Sequence, residues 1–187
     1  SEGVPSAAIN TVPMVFEDNK KERSLSDEEL QRLRQLLLSD RNRNVSLIIL
    51  LLLSTGMRLN EVLSATWGEG DLERRVFVVR ALNSKSKRVR SVPINDSAFE
   101  VLNSLPTKGT KGPLFVNPRT GKRYQTISKQ WDRIRKAAGL PEFRIHDCRH
   151  FFASALVSSG RTLFETQTIL GHSSPATTQR YAWVSTK

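Results

Sequence analysis

The chain has 187 residues and a mass of 21.1 kDa, with 38% hydrophobic and 25% charged residues and a formal net charge of +11. That balance is ordinary for a soluble globular protein of one domain, large enough to bury a single substantial core. The longest apolar run, Val45 to Leu53 with Ser46 inside it, is far too short to span a membrane, and one cysteine excludes an internal disulfide.

No secretory signal opens the chain, so a reducing, cytoplasmic compartment is the expectation. Ser1 is not an initiator methionine, which predicts a fragment of a longer protein. The positive charge is uneven. Residues 74–149 carry eighteen Lys and Arg against five Asp and Glu, as expected if this part faces a polyanion, nucleic acid above all. Charge alone does not select a ligand, and a solvated basic face explains the same count.

Residues 1–23 read as an irregular lead-in, a remnant of an interdomain linker, and residues 24–187 as the folded domain. Ser26 and Glu29 form a capping box, and Leu30, Leu33, Leu36 and Leu37 make the apolar stripe of the helix that follows. Val45 to Leu53 is apolar all round, which predicts a central core helix. Gly56 ends it, and Arg58 to Ala65 restarts as a short helix. From Trp67 the period changes. Val76-Phe77-Val78-Val79 and Val89-Arg90-Ser91-Val92-Pro93-Ile94 read as strands joined by the polar turn Asn83-Ser84-Lys85-Ser86-Lys87.

Asp96 is the expected cap of a helix through Phe99, Val101, Leu102 and Leu105. Leu114-Phe115-Val116 reads as extended ahead of the turn Pro118-Arg119-Thr120-Gly121. Helices are predicted over Ile127 to Ala138, His146 to Ser159 and Leu163 to Leu170, with a last short one carrying Tyr181. The expected fold class is α+β, mostly α-helical, with one small antiparallel sheet near residues 67–94.

The chemistry concentrates in the later helices. His146 and Arg149 are three apart and share a helix face, with His150 and Ala153 beside them. Cys148, Phe152, Ala155 and Leu156 fall on the opposite, apolar face. Thr162 and Glu165 form a second capping box, and Gly171 is the expected C-terminal stop. His172 then sits near the negative end of that helix, which favours its protonated, donor form. Ser174-Pro175 starts the helix of Tyr181. Singly, each has a plainer explanation: a surface His–Arg pair, a half-buried packing tyrosine, a core tryptophan at Trp183.

Together, Thr55-Gly56-Met57-Arg58-Leu59-Asn60-Glu61, the basic hairpin ending in Val92-Pro93-Ile94, His146-Asp147-Cys148-Arg149-His150, and Leu170-Gly171-His172 through Tyr181 resemble the tyrosine recombinase (phage integrase) family, in its C-terminal catalytic domain. The likeness spans roughly residues 24–187, and four motifs in the right order make it a strong signal. It implies that Arg58 and Arg149 grip the non-bridging oxygens of a scissile phosphate, a task suited to guanidinium geometry. It implies that His146 hydrogen-bonds the phosphate or handles the tyrosine proton, and that His172 donates to the same phosphate.

Lys85, placed eight residues before Pro93, would protonate the departing 5′ oxygen, with Lys87 the competing assignment. Tyr181 would attack to give a 3′-phosphotyrosyl link, and Glu61 would orient Arg58. Lys87, Arg88, Arg90, Arg119, Lys122 and Arg123 are the expected DNA contacts. The helix with Lys129, Arg133, Arg135 and Lys136 is a further basic surface.

No metal, cofactor or ATP is expected, because preplaced arginines and histidines can stabilise the charge built up in phosphoryl transfer. The implied activity is site-specific recombination or integration on double-stranded DNA. The alternatives are relaxation like that of a type IB topoisomerase, or an inactive DNA-binding module of the same fold. Cys148 stands where the family has leucine and reads as a core substitution. The N-terminal clamp domain and C-terminal tail of the family are missing from these residues. The expected assembly is therefore a homo-tetramer on DNA for the full-length protein and a monomer for this piece, in a prokaryotic or phage setting near the nucleoid.

Overall fold

The computed structural model describes residues 24–80 and 89–171. Helix α1, Asp27–Ser39, starts where the Ser26 hydroxyl accepts from the Glu29 N–H at 3.2 Å and the Glu29 carboxylate accepts from the Ser26 N–H at 3.2 Å. Leu30, Leu33 and Leu37 are buried, and Leu36 packs beside them at the margin. Helix α2, Arg43–Thr55, is capped by Asn42, whose side chain accepts from the Val45 N–H. Ten of its residues, including Leu47, Ile48, Ile49, Leu51, Leu52 and Leu53, are buried, so it runs through the centre of the core. Truncating one of these leucines to alanine costs ~2–5 kcal/mol.

Gly56 stops α2 in the left-handed conformation at φ 66° and is followed by the short helix α3, Leu59–Ser64. A single 3₁₀ turn, Trp67–Glu69, leads into strand β1, Gly70–Asp71. Strands β2, Val76–Arg80, and β3, Val89–Pro93, complete a three-stranded antiparallel sheet in the order β1-β2-β3. Its register opposes Phe77 to Val92 and Val79 to Arg90. Phe77, Val79 and Val92 are buried, which makes that face the inner one. The sheet lies where the alternating pattern placed it, with β1 as an added edge.

Helix α4, Asp96–Asn103, corrects one expectation, because its cap is Asn95 and not Asp96. The buried Asn95 amide accepts from the Ala98 N–H at 2.9 Å and donates to the Ser54 carbonyl at 2.9 Å, tying α4 to α2. An aspartate cannot donate and could not make the second link. Asp96 instead lies 3.5 Å from Arg75. A second, two-stranded ribbon pairs β4, Val116–Asn117, with β5, Lys122–Arg123. The sequence reading missed it, since Leu114 and Phe115 are buried packing residues and only the end of that segment pairs.

Helices α5, Ser128–Ala137, α6, Asp147–Ser158, and α7, Leu163–Leu170, close the fold. Trp131 of α5 meets Phe143 edge-on at 6.1 Å. Arg133 grips Asp40 through two bonds of 2.6 and 2.9 Å, holding α5 to the end of α1. Helix α6 packs on α2 and α7, and α7 packs on β3. No helix among the described residues is long and apolar enough to cross a membrane.

Candidate active site

Three chain reversals meet at one place: the end of α2 before Arg58, the start of α6 at His146, and the end of α7 before His172. Arg149 joins two of them. Its Nη1 donates to the Gly56 carbonyl at 2.7 Å and its Nη2 donates to the Leu170 carbonyl. These are terminal carbonyls of α2 and α7, the negative ends of both helices. The sequence reading placed Arg149 on an open face of α6. The structure buries it, and its neighbours from Asp147 to Val157, His150 excepted, are buried as well.

Arg58 precedes α3 and is exposed on the surface of this junction. Its N–H donates to Glu61 Oε1 at 2.7 Å, and its guanidinium lies 3.7 Å from Glu61 Oε2. Glu61 is therefore beside Arg58, as expected. Its principal partner is another residue, Arg90 of β3, which meets both carboxylate oxygens at 2.5 and 2.7 Å. Burial acts to raise the Glu61 carboxyl, but the Arg90 guanidinium and the Arg58 N–H outweigh it and hold it below the usual carboxylate range.

His146 stands at the N-terminus of α6 with its ring edge-on to His150, centroids 5.1 Å apart. Partial desolvation first, and then positive charge at His150, Arg149 and Arg58, push it down to about 4 from an ordinary 6.5. The ring keeps one side in solvent and is neutral at neutral pH. Arg149 is three residues on in the same helix and bonds the Gly56 carbonyl two residues before Arg58, so residues 58, 146 and 149 share one junction.

Asp147, which sequence reasoning left without a role, is buried and accepts from the Arg144 N–H at 2.8 Å and its guanidinium at 3.0 Å. It fixes the entry into α6 immediately next to His146. Cys148 is buried as expected, and burial raises its thiol well above the ordinary range.

Of the expected DNA contacts, Arg119, Lys122 and Arg123 are exposed around the β4–β5 turn. Arg90 is not on such a surface: its side chain is 9% exposed, and its guanidinium is committed to Glu61 and to the Ile169 carbonyl. The basic face of α5 is also largely paired, Arg133 with Asp40 and both Arg135 and Lys136 with Asp132. Lys85, Lys87, Arg88, His172 and Tyr181 lie outside the described residues.

A mostly helical domain with a small antiparallel sheet, bringing Arg58, His146 and Arg149 to one junction, defines a recombinase-type catalytic fold. The model of the phage integrase family matches residues 23–187, and the chain belongs to that family. It is 29% identical over 180 residues to the integrase of Salmonella phage P22, covering 88% of this chain and 44% of that protein. It is 36% identical over 149 residues to tyrosine recombinase XerC of Corynebacterium glutamicum, covering 76% and 47%.

The crystal structure of XerA recombinase superposes with a TM-score of 0.73 at 28% identity, covering 89% of this chain and 61% of the other. The catalytic domain of bacteriophage HP1 integrase gives 0.69 at 28%, covering 87% and 88%. The chain spans about half the length of the curated relatives it matches.

Proposed function

We propose that the chain is the catalytic domain of a DNA strand-transfer enzyme that cuts and rejoins duplex DNA through tyrosine. The Tyr181 hydroxyl attacks the phosphorus, its oxygen forms the new P–O bond, and the bond to the 5′ oxygen breaks. The phenolic proton passes to the unprotonated ring nitrogen of His146, whose basicity the negative charge of the adjacent phosphate raises from its low value in the free protein. Lys85, or Lys87 in its place, gives a proton to the 5′ oxygen. Arg58, Arg149 and His172 stabilise the charge on the non-bridging oxygens. The phosphotyrosyl ester conserves the energy of the broken bond, so rejoining needs no ATP.

The observation that carries this reading is the bond from Arg149 to the Gly56 carbonyl, which brings the turn before Arg58 against the start of α6, where His146 stands, across 93 positions of sequence. The names of the relatives, integrase and tyrosine recombinase XerC and XerA, favour strand exchange over simple relaxation. A structure of XerH bound to its difH substrate, 27% identical with a TM-score of 0.70, supports duplex DNA as partner. Arg119, Lys122 and Arg123 of the β4–β5 ribbon, with Lys87 and Arg88 of the hairpin, are the proposed backbone contacts. Assembly on DNA is proposed to be tetrameric in the full-length protein.

The test is covalent trapping. The chain is incubated with a pool of nicked duplexes of randomised sequence, and protein-linked DNA is recovered and sequenced. Wild type should trap a defined site and Tyr181→Phe none, while both bind the recovered duplex equally. Trapping by Tyr181→Phe at the wild-type level would overturn the assignment.

A further inference from the structure

Arg90 sits on β3, opposite Val79, on the inner face of the sheet. Its guanidinium uses one edge for both oxygens of Glu61 and its Nε for the Ile169 carbonyl at 3.1 Å. The stem lies flat on Gly171. A Cβ at that glycine would come within 2.6 Å of Arg90 Cδ, and its φ of 71° already favours glycine. One side chain thus links α3, the sheet and the end of α7.

That placement decides what Glu61 can do to Arg58. A carboxylate three residues from an arginine on a helix ordinarily pairs with it directly, and a direct pair would neutralise the cation. Arg90 takes both oxygens at 2.5 and 2.7 Å, so the Arg58 guanidinium, 44% exposed, keeps only a longer ion pair of 3.7 Å with Glu61. The other contact satisfies a terminal carbonyl of α7, two residues before the turn glycine that leads to His172.

We infer that Arg90 is a positioning residue of the strand-transfer site: by holding both oxygens of Glu61, and being anchored itself on the Ile169 carbonyl, it keeps Arg58 available to a phosphate. The inference rests on the function proposed above. Arg90 acts through Glu61 on Arg58 and does not touch DNA.

The experiment uses the duplex recovered by trapping and measures the single-turnover rate of covalent complex formation at saturating DNA, with affinity measured separately. Arg90→Met should slow the reaction about 30- to 100-fold with affinity changed less than about threefold. Arg90→Lys, able to keep one link, should fall between Arg90→Met and wild type. In the Arg58→Ala background, adding Arg90→Met should change the rate by less than about twofold, because residues acting as a unit are not additive.

An unchanged rate, a loss confined to affinity, or full additivity with Arg58→Ala would each overturn the inference. If Arg90→Met does not fold, Glu61→Gln/Arg90→Met, which strands no buried charge, is read by the same rate and affinity criteria. If wild type traps no DNA at all, the functional reading itself fails. A reactive wild type with an equally reactive Arg90→Met removes only the role of Arg90.

Discussion

Arg149 Nη1 donates to the Gly56 carbonyl at 2.7 Å across 93 positions of sequence, and that one bond sets how the turn before Arg58 lies against α6. The second arm on the Leu170 carbonyl makes the guanidinium a brace between two helix ends. A planar fork suits this task, while an ammonium offers a point charge on a flexible stem. Arg149→Lys should therefore lower stability by ~1.5–3 kcal/mol, the worth of a charged hydrogen bond, and slow covalent complex formation. Urea unfolding alongside the trapping assay checks both.

Gly56 is crowded as well as left-handed. A Cβ there would overlap the Phe152 ring and lie 2.9 Å from Leu170 Cδ2, whereas at Gly121, with φ 68°, nothing lies within 4 Å. Gly121→Ala should cost only the ~1–2 kcal/mol of a left-handed side chain. Gly56→Ala should cost ~1–3 kcal/mol more, the usual penalty of overpacking. Equal losses measured by denaturant titration would contradict the packing of Phe152 on this turn.

Arg58→Ala removes a guanidinium that is 44% exposed and meets Glu61 only at 3.7 Å, while Glu61 keeps its shorter bonds to Arg90. The rate at saturating DNA should fall ~100- to 1000-fold, with a much smaller change in melting temperature than Arg149→Lys produces.

The pH dependence has a definite sign. His146 has its folded value pushed down to about 4 from 6.5, so the folded protein holds fewer protons than the unfolded chain between those values. Its contribution to stability is complete above 6.5 and is lost as pH falls toward about 4. The ring is partly solvated, so the effect on stability is modest. Glu61, held below its ordinary value, contributes above the unfolded carboxylate range of ~4.3, and that contribution is lost as pH falls through its lower folded value. A DNA phosphate beside His146 should pull its value upward from about 4, so binding takes up a proton and affinity tightens as pH falls through the raised bound value toward about 4. Titration of the His146 ring by NMR, with and without the trapped duplex, reads this directly.

Backbone contacts release counterions, so affinity should fall steeply with salt. Replacing Arg119, Lys122 and Arg123 together should flatten the logarithmic salt slope by up to ~0.9 for each phosphate contact removed, without changing the rate at saturating DNA. An unaltered slope would take the β4–β5 ribbon off the DNA.

Most of the scaffold was legible because it is written in local code. The Ser26–Glu29 and Thr162–Glu165 boxes, the apolar stretch of α2 and the stops at Gly56 and Gly171 all form as patterned. Asn95 was passed over for Asp96 because the choice depends on a distant carbonyl, that of Ser54. The fate of Arg90 was within reach. It lies two residues from the buried Val92 on the same strand, and strand alternation puts both on the inner face. Its charge drew the reading toward DNA instead. The burial of Arg149 left no such trace, since neither carbonyl it binds carries a side-chain signature.

Cys148 adjoins Arg149 on α6 and is sealed in the core with its thiol held in the protonated form. A maleimide or aromatic disulfide cannot react until α6 separates from its packing. As the chain's lone sulfhydryl, it is a native stopwatch: its labelling rate, followed with and without bound duplex, times how often α6 comes away from the core.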